Sequence, residues 1–162
     1  MHLTYRFATE NDVLLFYQWF NDYEVRKNSY SGNPISLDQH SKWFKEKIND
    51  KNVFLLLFLD YSNENYPVGQ VRIERIGQEA IISISIDAEY RGKGLATDLL
   101  NDACLCYFDK YPKDKIIAYI KKDNKASIRA FCKASFDVVD ESFLYSGTES
   151  FKLVKQVYEE KI

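Results

Sequence analysis

Ile84-Ser85-Ile86-Asp87-Ala88-Glu89-Tyr90-Arg91-Gly92-Lys93-Gly94-Leu95-Ala96 is the stretch whose reading decides the fold. Its opening residues end an alternating segment: Ile82, Ile84 and Ile86 fall on one side, Ser83 and Ser85 on the other, the two-residue period of a strand. From Leu95 the period changes, with Leu95, Leu99, Ala103 and Tyr107 recurring at helical spacing. Between them Gly92 and Gly94 let the backbone turn tightly and approach a ligand closely. The first N–H groups of the following helix have no partner of their own. Strand, glycine loop and helix together form a cradle for an anion such as a pyrophosphate. Taken alone, Arg-Gly-Lys-Gly reads as readily as a surface turn with solvated charges. The flanking elements decide.

Upstream, His2–Ala8 alternates as a short strand, and Thr9 opens a helix whose apolar face is Val13, Phe16, Tyr17 and Phe20. Residues 21–34, polar and carrying Gly32 and Pro34, read as a loop with a helical turn around Tyr23–Lys27. Ser36 and Gln39 form a capping box for a second helix, with Trp43, Phe44, Lys47 and Ile48 at helical spacing and an end near residue 50. Val53–Leu59 is a buried strand, followed by turn-like residues from Tyr61 to Pro67. Val68–Ile76 and Ala80–Ile86 are joined by a tight turn at Gly77-Gln78. Downstream come a helix over 95–108, a strand over Lys115–Ile120, a helix over Lys125–Lys133, and strands near Phe136–Glu141 and Phe151–Tyr158 around Ser146-Gly147-Thr148. This order predicts an α+β fold, a mixed, mostly antiparallel sheet of about seven strands flanked by four helices. Residues 1–162 are expected to form one domain, with disorder confined to the last few positions.

The 22 basic and 24 acidic residues leave a formal net charge of -2, which gives no general attraction to nucleic acid. No apolar run has transmembrane length and the N-terminus lacks signal-peptide character, so a cytoplasmic protein with no membrane partner is expected. Cys104, Cys106 and Cys132 have no metal-ligand spacing and lie far in sequence from His2 and His40, so no metal site is expected and the cysteines read as small hydrophobes.

The segment resembles the signature of the GNAT superfamily of N-acetyltransferases: Arg or Gln, two residues, Gly, one residue, then Gly or Ala. Arg91, Gly94 and Ala96 match it. Ile84–Ala88 falls where the family's splayed strand pairs with the pantetheine arm of acetyl-CoA. Asn124-Lys125-Ala126-Ser127 with Ala130–Phe136 is similar to the family's second signature, a helix opened by asparagine and closed before Gly-Phe. The resemblance implies acetyl-CoA as cofactor, bound by Ile86, Asp87, Arg91, Gly92, Lys93, Gly94, Leu95, Ala96, Asn124, Ser127 and Phe131. The Ile86 N–H would polarise the thioester carbonyl.

The chain departs from the family at the chemistry. The tyrosine that protonates the leaving thiolate in many members is Phe131 here, a glutamate of several relatives falls at Tyr119, another base position falls at Ala80, and the usual glycine before the final Phe is Ser135. Tyr119, as a water-linked relay or acid, and Glu79, as a carboxylate near the strand entrance, are the catalytic candidates, although Tyr119 also reads as an ordinary strand aromatic.

For the acceptor, Glu24–Lys27, Ile35-Ser36 with His40 and Trp43, Val68–Arg72 and Ile82–Ser85 resemble acetyltransferases acting on nucleotide-linked amino sugars, those of the pseudaminic acid pathway above all. Arg26, Tyr30 and Arg72 are the expected acceptor contacts, with Gln70 a hydrogen-bonding neighbour. Read without the resemblance, they are equally ordinary solvated side chains. His40 and Trp43 read as structural. Two alternatives stand beside this: acetylation of a peptide or ribosomal-protein amine in a groove reaching Ser142–Ser150, and a module that binds acetyl-CoA without turnover. The apolar closing strand Phe151–Val157 suggests pairing in a homodimer.

Overall fold

Val53–Asp60 is the strand on which both layers are built, and the structure, a computed structural model, describes it within residues 1–158. The last positions, 159–162, where disorder was expected, lie outside the described residues. Because successive strand side chains point to opposite faces, the unbroken apolar run serves two cores. Phe54, Leu56 and Phe58 join one, and Leu55 and Leu57 the other.

The strands are β1 (Leu3–Phe7), β2 (Val53–Asp60), β3 (Tyr66–Ile76), β4 (Glu79–Ile86), β5 (Lys115–Lys121), β6 (Asp137–Tyr145) and β7 (Thr148–Gln156), in the order β1-β2-β3-β4-β5-β7-β6. Every pairing is antiparallel except β4 with β5, which run parallel and pair only over Glu79–Ile81 and Lys115–Ile117. Beyond Ile81 the two strands part. The α-helices are α1 (Val13–Phe20), α2 (Tyr23–Asn28), α3 (Leu37–Asn49), α4 (Ala96–Lys110) and α5 (Lys125–Lys133). Phe16, Trp19 and Phe20 of α1 and Phe44 of α3 pack on the Leu55 and Leu57 face. Leu99, Leu100, Ala103 and Tyr107 of α4 and Phe131 of α5 pack on the other, against Val71, Ile73, Ile82 and Ile116. Truncating a fully buried aromatic such as Phe16 costs about 3–5 kcal/mol.

The expected sheet is present, but there are five α-helices among the described residues rather than four. The fifth, α2, is the helical turn expected within the loop at 21–34. It forms as a helix because Asp22 caps it, accepting from the N–H groups of Glu24 and Val25 at 3.0 and 3.3 Å. The closing hairpin is longer than the residue pattern predicts, and β7 lies between β5 and β6. The expected pairing of the Phe151–Val157 strand with a second copy is thereby corrected: both its edges are occupied, and the free edges of the sheet belong to β1 and β6. No described helix is long and apolar enough to cross a membrane.

Candidate active site

The parting of β4 from β5 opens a cleft of about 1210 Å³ through the sheet, lined from both faces. On the α4/α5 side its wall is Ile84, Ile86, Leu95, Ala96, Thr97 and Phe131; on the α1–α3 side it is Ser83, Ser85, Arg26, Tyr30, Trp43 and Arg72. Two reactants can therefore approach one strand end from opposite faces.

The glycine loop forms the mouth on the α4 side. Gly92 and Gly94 have φ of 73° and 75°, and a Cβ added to either would meet nothing within 4 Å. The backbone there is left-handed and faces open space, which only glycine supplies without strain. Helix α4 begins with Leu95 as its cap and no side-chain cap bond, so its first N–H groups stand free for an anion. Asn124 caps α5 through its side chain, accepting from Ser127 N at 3.3 Å, and both residues line the cleft. Phe131 is buried and meets Phe136 edge-on at 5.0 Å. Ser135 has φ of 65°, keeping the left-handed turn at the position where the signature it resembles carries glycine.

Ile86 stands at the strand end. Asp87 N donates to Val68 O at 2.8 Å, which makes Ile86–Gly69 an antiparallel pair whose own N–H and C=O turn away from each other's strand. The Ile86 carbonyl is taken by Arg91 Nε at 3.0 Å, while its N–H faces the gap between β4 and β5.

Four of the expected site residues occupy other surroundings. The Asp87 carboxylate accepts from Trp19 Nε1 at 2.8 Å and from Glu89 N at 3.0 Å, bracing α1 against the loop, and is absent from the cleft lining. The Lys93 ammonium folds back over the Tyr90 ring at 4.7 Å and is likewise absent. Gln70 is buried under Ser85 rather than exposed in the cleft. Glu79 lines a separate shallow depression with Lys115 and Lys152, at the far end of β4 from Ile86, so its expected place as a catalytic carboxylate at the strand entrance is corrected.

Tyr119 does reach the cleft. Its ring stacks on Tyr145 at 4.0 Å with 8° between planes and also meets Phe143 at 5.3 Å. Burial, then the neighbouring Tyr145 and Glu79, push its phenol pKa up, so it holds its proton at neutral pH. Tyr30 meets Tyr145 edge-on at 4.7 Å, and its hydroxyl donates to Ser150 Oγ at 2.7 Å. Arg26 lines the same wall, with Nη1 donating to Ser31 O at 2.9 Å and Nη2 to Ser29 Oγ at 3.2 Å, so part of its donor set ties down the loop after α2. Arg72 lies over the Trp43 ring at 5.0 Å. His40 is buried among Phe20, Trp43 and Phe44 with Nε2 3.0 Å from Val13 O, and burial lowers its pKa; it is a neutral structural residue, as its sequence setting suggests.

Tyr145 and Ser146 arrive from the closing hairpin, within the Ser142–Ser150 stretch expected to border a peptide acceptor, although no local pattern ties that hairpin to β4. Ser85 falls in the Ile82–Ser85 stretch tied to the acceptor, but its individual place escapes the sequence reading; its alternation with Ile84 and Ile86 sets it on the opposite face at the strand end.

A family profile described as acetyltransferase (GNAT) domain matches residues 2–137. No protein of curated function matches the sequence. Among solved structures, the aminoglycoside acetyltransferase AAC(6')-Ib in complex with coenzyme A superposes with a TM-score of 0.80 at 19% identity, covering 96% of this chain and 95% of that one. The spermidine N-acetyltransferase from Vibrio cholerae, in complex with CoA and spermine, gives 0.79 at 21% identity over 94% and 92%. A domain from Methanocaldococcus jannaschii gives 0.81 at 19% identity over 96% and 99%. At such identities the likeness carries the fold, and the profile match carries the family. The chain therefore belongs to the GNAT acetyltransferase family, as an acetyl-CoA-dependent N-acetyltransferase acting on an amine.

Proposed function

We propose that the protein acetylates the primary amine of a nucleotide-linked amino sugar, a building block of surface polysaccharide. The observation that carries this reading is the charge of the cleft wall. On the acceptor wall Glu24 is the one lining carboxylate among the described residues, against Arg26 and Arg72, the latter also within 3.8 Å of Glu74 of its own strand. A polycationic acceptor such as an aminoglycoside or a polyamine is held by carboxylates. A diphosphate, a nucleobase and a deoxysugar call for guanidinium groups and aromatic faces, which Arg72 on Trp43, Arg26, and the Tyr30, Tyr119 and Tyr145 group supply.

The residues of the α4 side fit acetyl-CoA. The open space over Gly92 and Gly94 and the uncapped start of α4 suit its pyrophosphate, and the apolar wall of Ile84, Ile86 and Phe131 suits its pantetheine arm. When bound, the cofactor supplies an acetyl thioester. Ile86 N–H, facing the gap, would offer a hydrogen bond to the thioester carbonyl oxygen, where negative charge develops during amine attack. Arg91 holds the Ile86 peptide from its carbonyl side, so this donor is in position before reaction. Of the family's two usual acid and base positions, Phe131 has nothing to ionise and Tyr119, whose pKa burial raises, is no base near neutrality. The amine proton then leaves through water, positioning and charge stabilisation carry the acceleration, and the Tyr119 phenol is left as the candidate donor to the thiolate.

The test is a panel of primary amines with acetyl-CoA, following free thiol release and product mass: UDP-linked 2- and 4-amino sugars, kanamycin, spermidine, and peptides with free N-termini. Turnover of a nucleotide-linked amino sugar at the highest kcat/KM supports the reading. Preference for kanamycin or spermidine overturns it, preference for a peptide establishes the peptide acceptor, and tight acetyl-CoA binding with no thiol release from any amine makes the chain a binding module.

A further inference from the structure

Gln70 of β3 and Ser85 of β4 stand opposite each other in register on the acceptor side of the sheet. Gln70 is 2% exposed and Ser85 8%. Gln70 Nε2 donates to Ser85 Oγ at 2.8 Å. Gln70 Oε1, fully buried, has no hydrogen-bond partner among the described residues. A buried carbonyl oxygen left unpaired lowers stability, and a leucine in its place would pack without that cost. A carboxamide kept there at the expense of stability indicates a use.

Ser85 lines the cleft and directly precedes Ile86, whose N–H faces the reacting carbonyl. A hydroxyl has one proton and two lone pairs. With one lone pair taken by Gln70, the other faces the cleft together with the proton. If the Gln70 amide turns half a revolution about its last side-chain bond, Oε1 accepts the Ser85 proton and both Oγ lone pairs are free. Glutamine serves both arrangements, which leucine, methionine or lysine cannot. An amine about to attack a thioester must aim its own lone pair at the carbonyl carbon, and it does so when an acceptor fixes one of its N–H bonds.

We propose that Ser85 holds the attacking amine by accepting one of its N–H bonds, and that Gln70 is the positioning residue that orients the Ser85 hydroxyl from beneath. The inference rests on the amine-acetyltransferase reading and not on the nature of the sugar, since any primary amine presents the same N–H. No proton passes to Ser85 in this arrangement; orientation is its whole contribution.

The experiment uses whichever primary amine of the panel the wild type acetylates fastest, so a failed sugar preference still leaves it readable. Ser85→Ala is expected to lower kcat about 10- to 100-fold, with the KM for acetyl-CoA unchanged and with Ser85→Thr restoring most of the rate. Gln70→Leu is expected to lower kcat in the same direction, and the Ser85→Ala/Gln70→Leu double variant to be no slower than Ser85→Ala alone, because Gln70 acts through Ser85. Gln70→Glu adds a second readout: its carboxylate can only accept, holding the Ser85 proton inward, whereas the protonated acid both donates and accepts as the amide does, so its rate relative to wild type at the same pH is expected to change as the pH crosses the glutamate's titration, a change Gln70→Leu does not show. Circular-dichroism melting establishes that each variant is folded. Wild-type kcat in Ser85→Ala overturns the proposal, as does a double variant whose loss equals the product of the two single losses.

Discussion

Arg91 joins the two halves of the active site through one side chain: Nη2 donates to Asp22 Oδ1 at 2.7 Å while Nε donates to Ile86 O at 3.0 Å. Asp22 is the cap of α2, the helix that carries Arg26, and Ile86 is the donor at the end of the splayed strand. The guanidinium of the signature arginine is thus engaged with protein, and the anion is left to the loop's backbone.

Asp22→Ala should therefore disturb both substrates. It removes a helix cap, costing about 1 kcal/mol, and frees Arg91 from its partner. Expected outcomes are a raised KM for the amine and a lowered kcat. An Asp22→Ala/Arg91→Ala double-mutant cycle in kcat/KM should show a coupling of about 0.5–3 kcal/mol. Strict additivity would mean that the bridge has no functional part.

Gly69 matters for a different reason. It lies opposite Ile86, and a Cβ there would sit 2.5 Å from Ser85 O and 3.2 Å from Ile86 Cα, both backbone, and 3.3 Å from Ile86 Cδ1. Gly69→Ala should lower stability by about 1–3 kcal/mol, a fall of about 2–12 °C in Tm for a chain of this size. It should also reduce kcat by displacing the Ser85–Ile86 backbone. Gly32→Ala, where an added Cβ meets nothing within 4 Å, is the control expected to leave both unchanged.

The glycine loop, the capped α5 and both amphipathic helices α1 and α3 were legible because each is written in a local pattern of caps, glycines and apolar period. What the residues did not disclose was long-range. Asp22 falls in a stretch read only as a loop with a helical turn; its bridge to Arg91 spans 69 positions, and the bond from Trp19 to Asp87 spans 68. Glu79 stands one residue before the expected strand Ala80–Ile86, and the residue pattern does not show that it opens β4 at the end where β5 is still paired, away from the cleft. Gln70 and Arg72 share a strand face, yet one is buried and the other reaches the cleft, because α3 brings Trp43 over Arg72. Periodicity assigns a face; it does not say what covers it.

The lower end of α4 holds a polar cluster that ties stability to pH. Asp114 is buried and accepts from Arg75 Nε and from Tyr107 OH, each at 2.7 Å. Burial opposes its ionisation, but the bonds from Arg75 and Tyr107 outweigh it and hold its pKa below the ordinary value. A depressed carboxyl contributes stability that is complete above the unfolded-state pKa of about 3.9 and is lost as pH falls through the lower folded value. Asp114→Asn should therefore lower Tm at pH 7, and its deficit relative to wild type should shrink below about pH 4, read from thermal melts across pH 2–8. A constant deficit at every pH would mean that packing, not charge, sets the contribution.

Tyr119 offers the sharpest separation of chemistry from positioning. Its raised pKa excludes service as a base near neutrality, and its ring, parallel to Tyr145 at 4.0 Å, is held by stacking. Tyr119→Phe keeps that stack and removes only the hydroxyl, so kcat should stay within a few-fold of wild type with an unshifted pH profile. Tyr119→Ala removes the ring, and with an aromatic pair worth about 0.5–1.5 kcal/mol the KM for the amine should rise about 2- to 10-fold while the affinity for acetyl-CoA is retained. A large kcat loss in Tyr119→Phe, with no change in either KM, would instead assign the phenol as the proton donor to the departing thiolate. Survival of Tyr119→Phe, together with the phenylalanine at 131, leaves water as the carrier of the proton, which is consistent with a cleft that opens to solvent on its acceptor side.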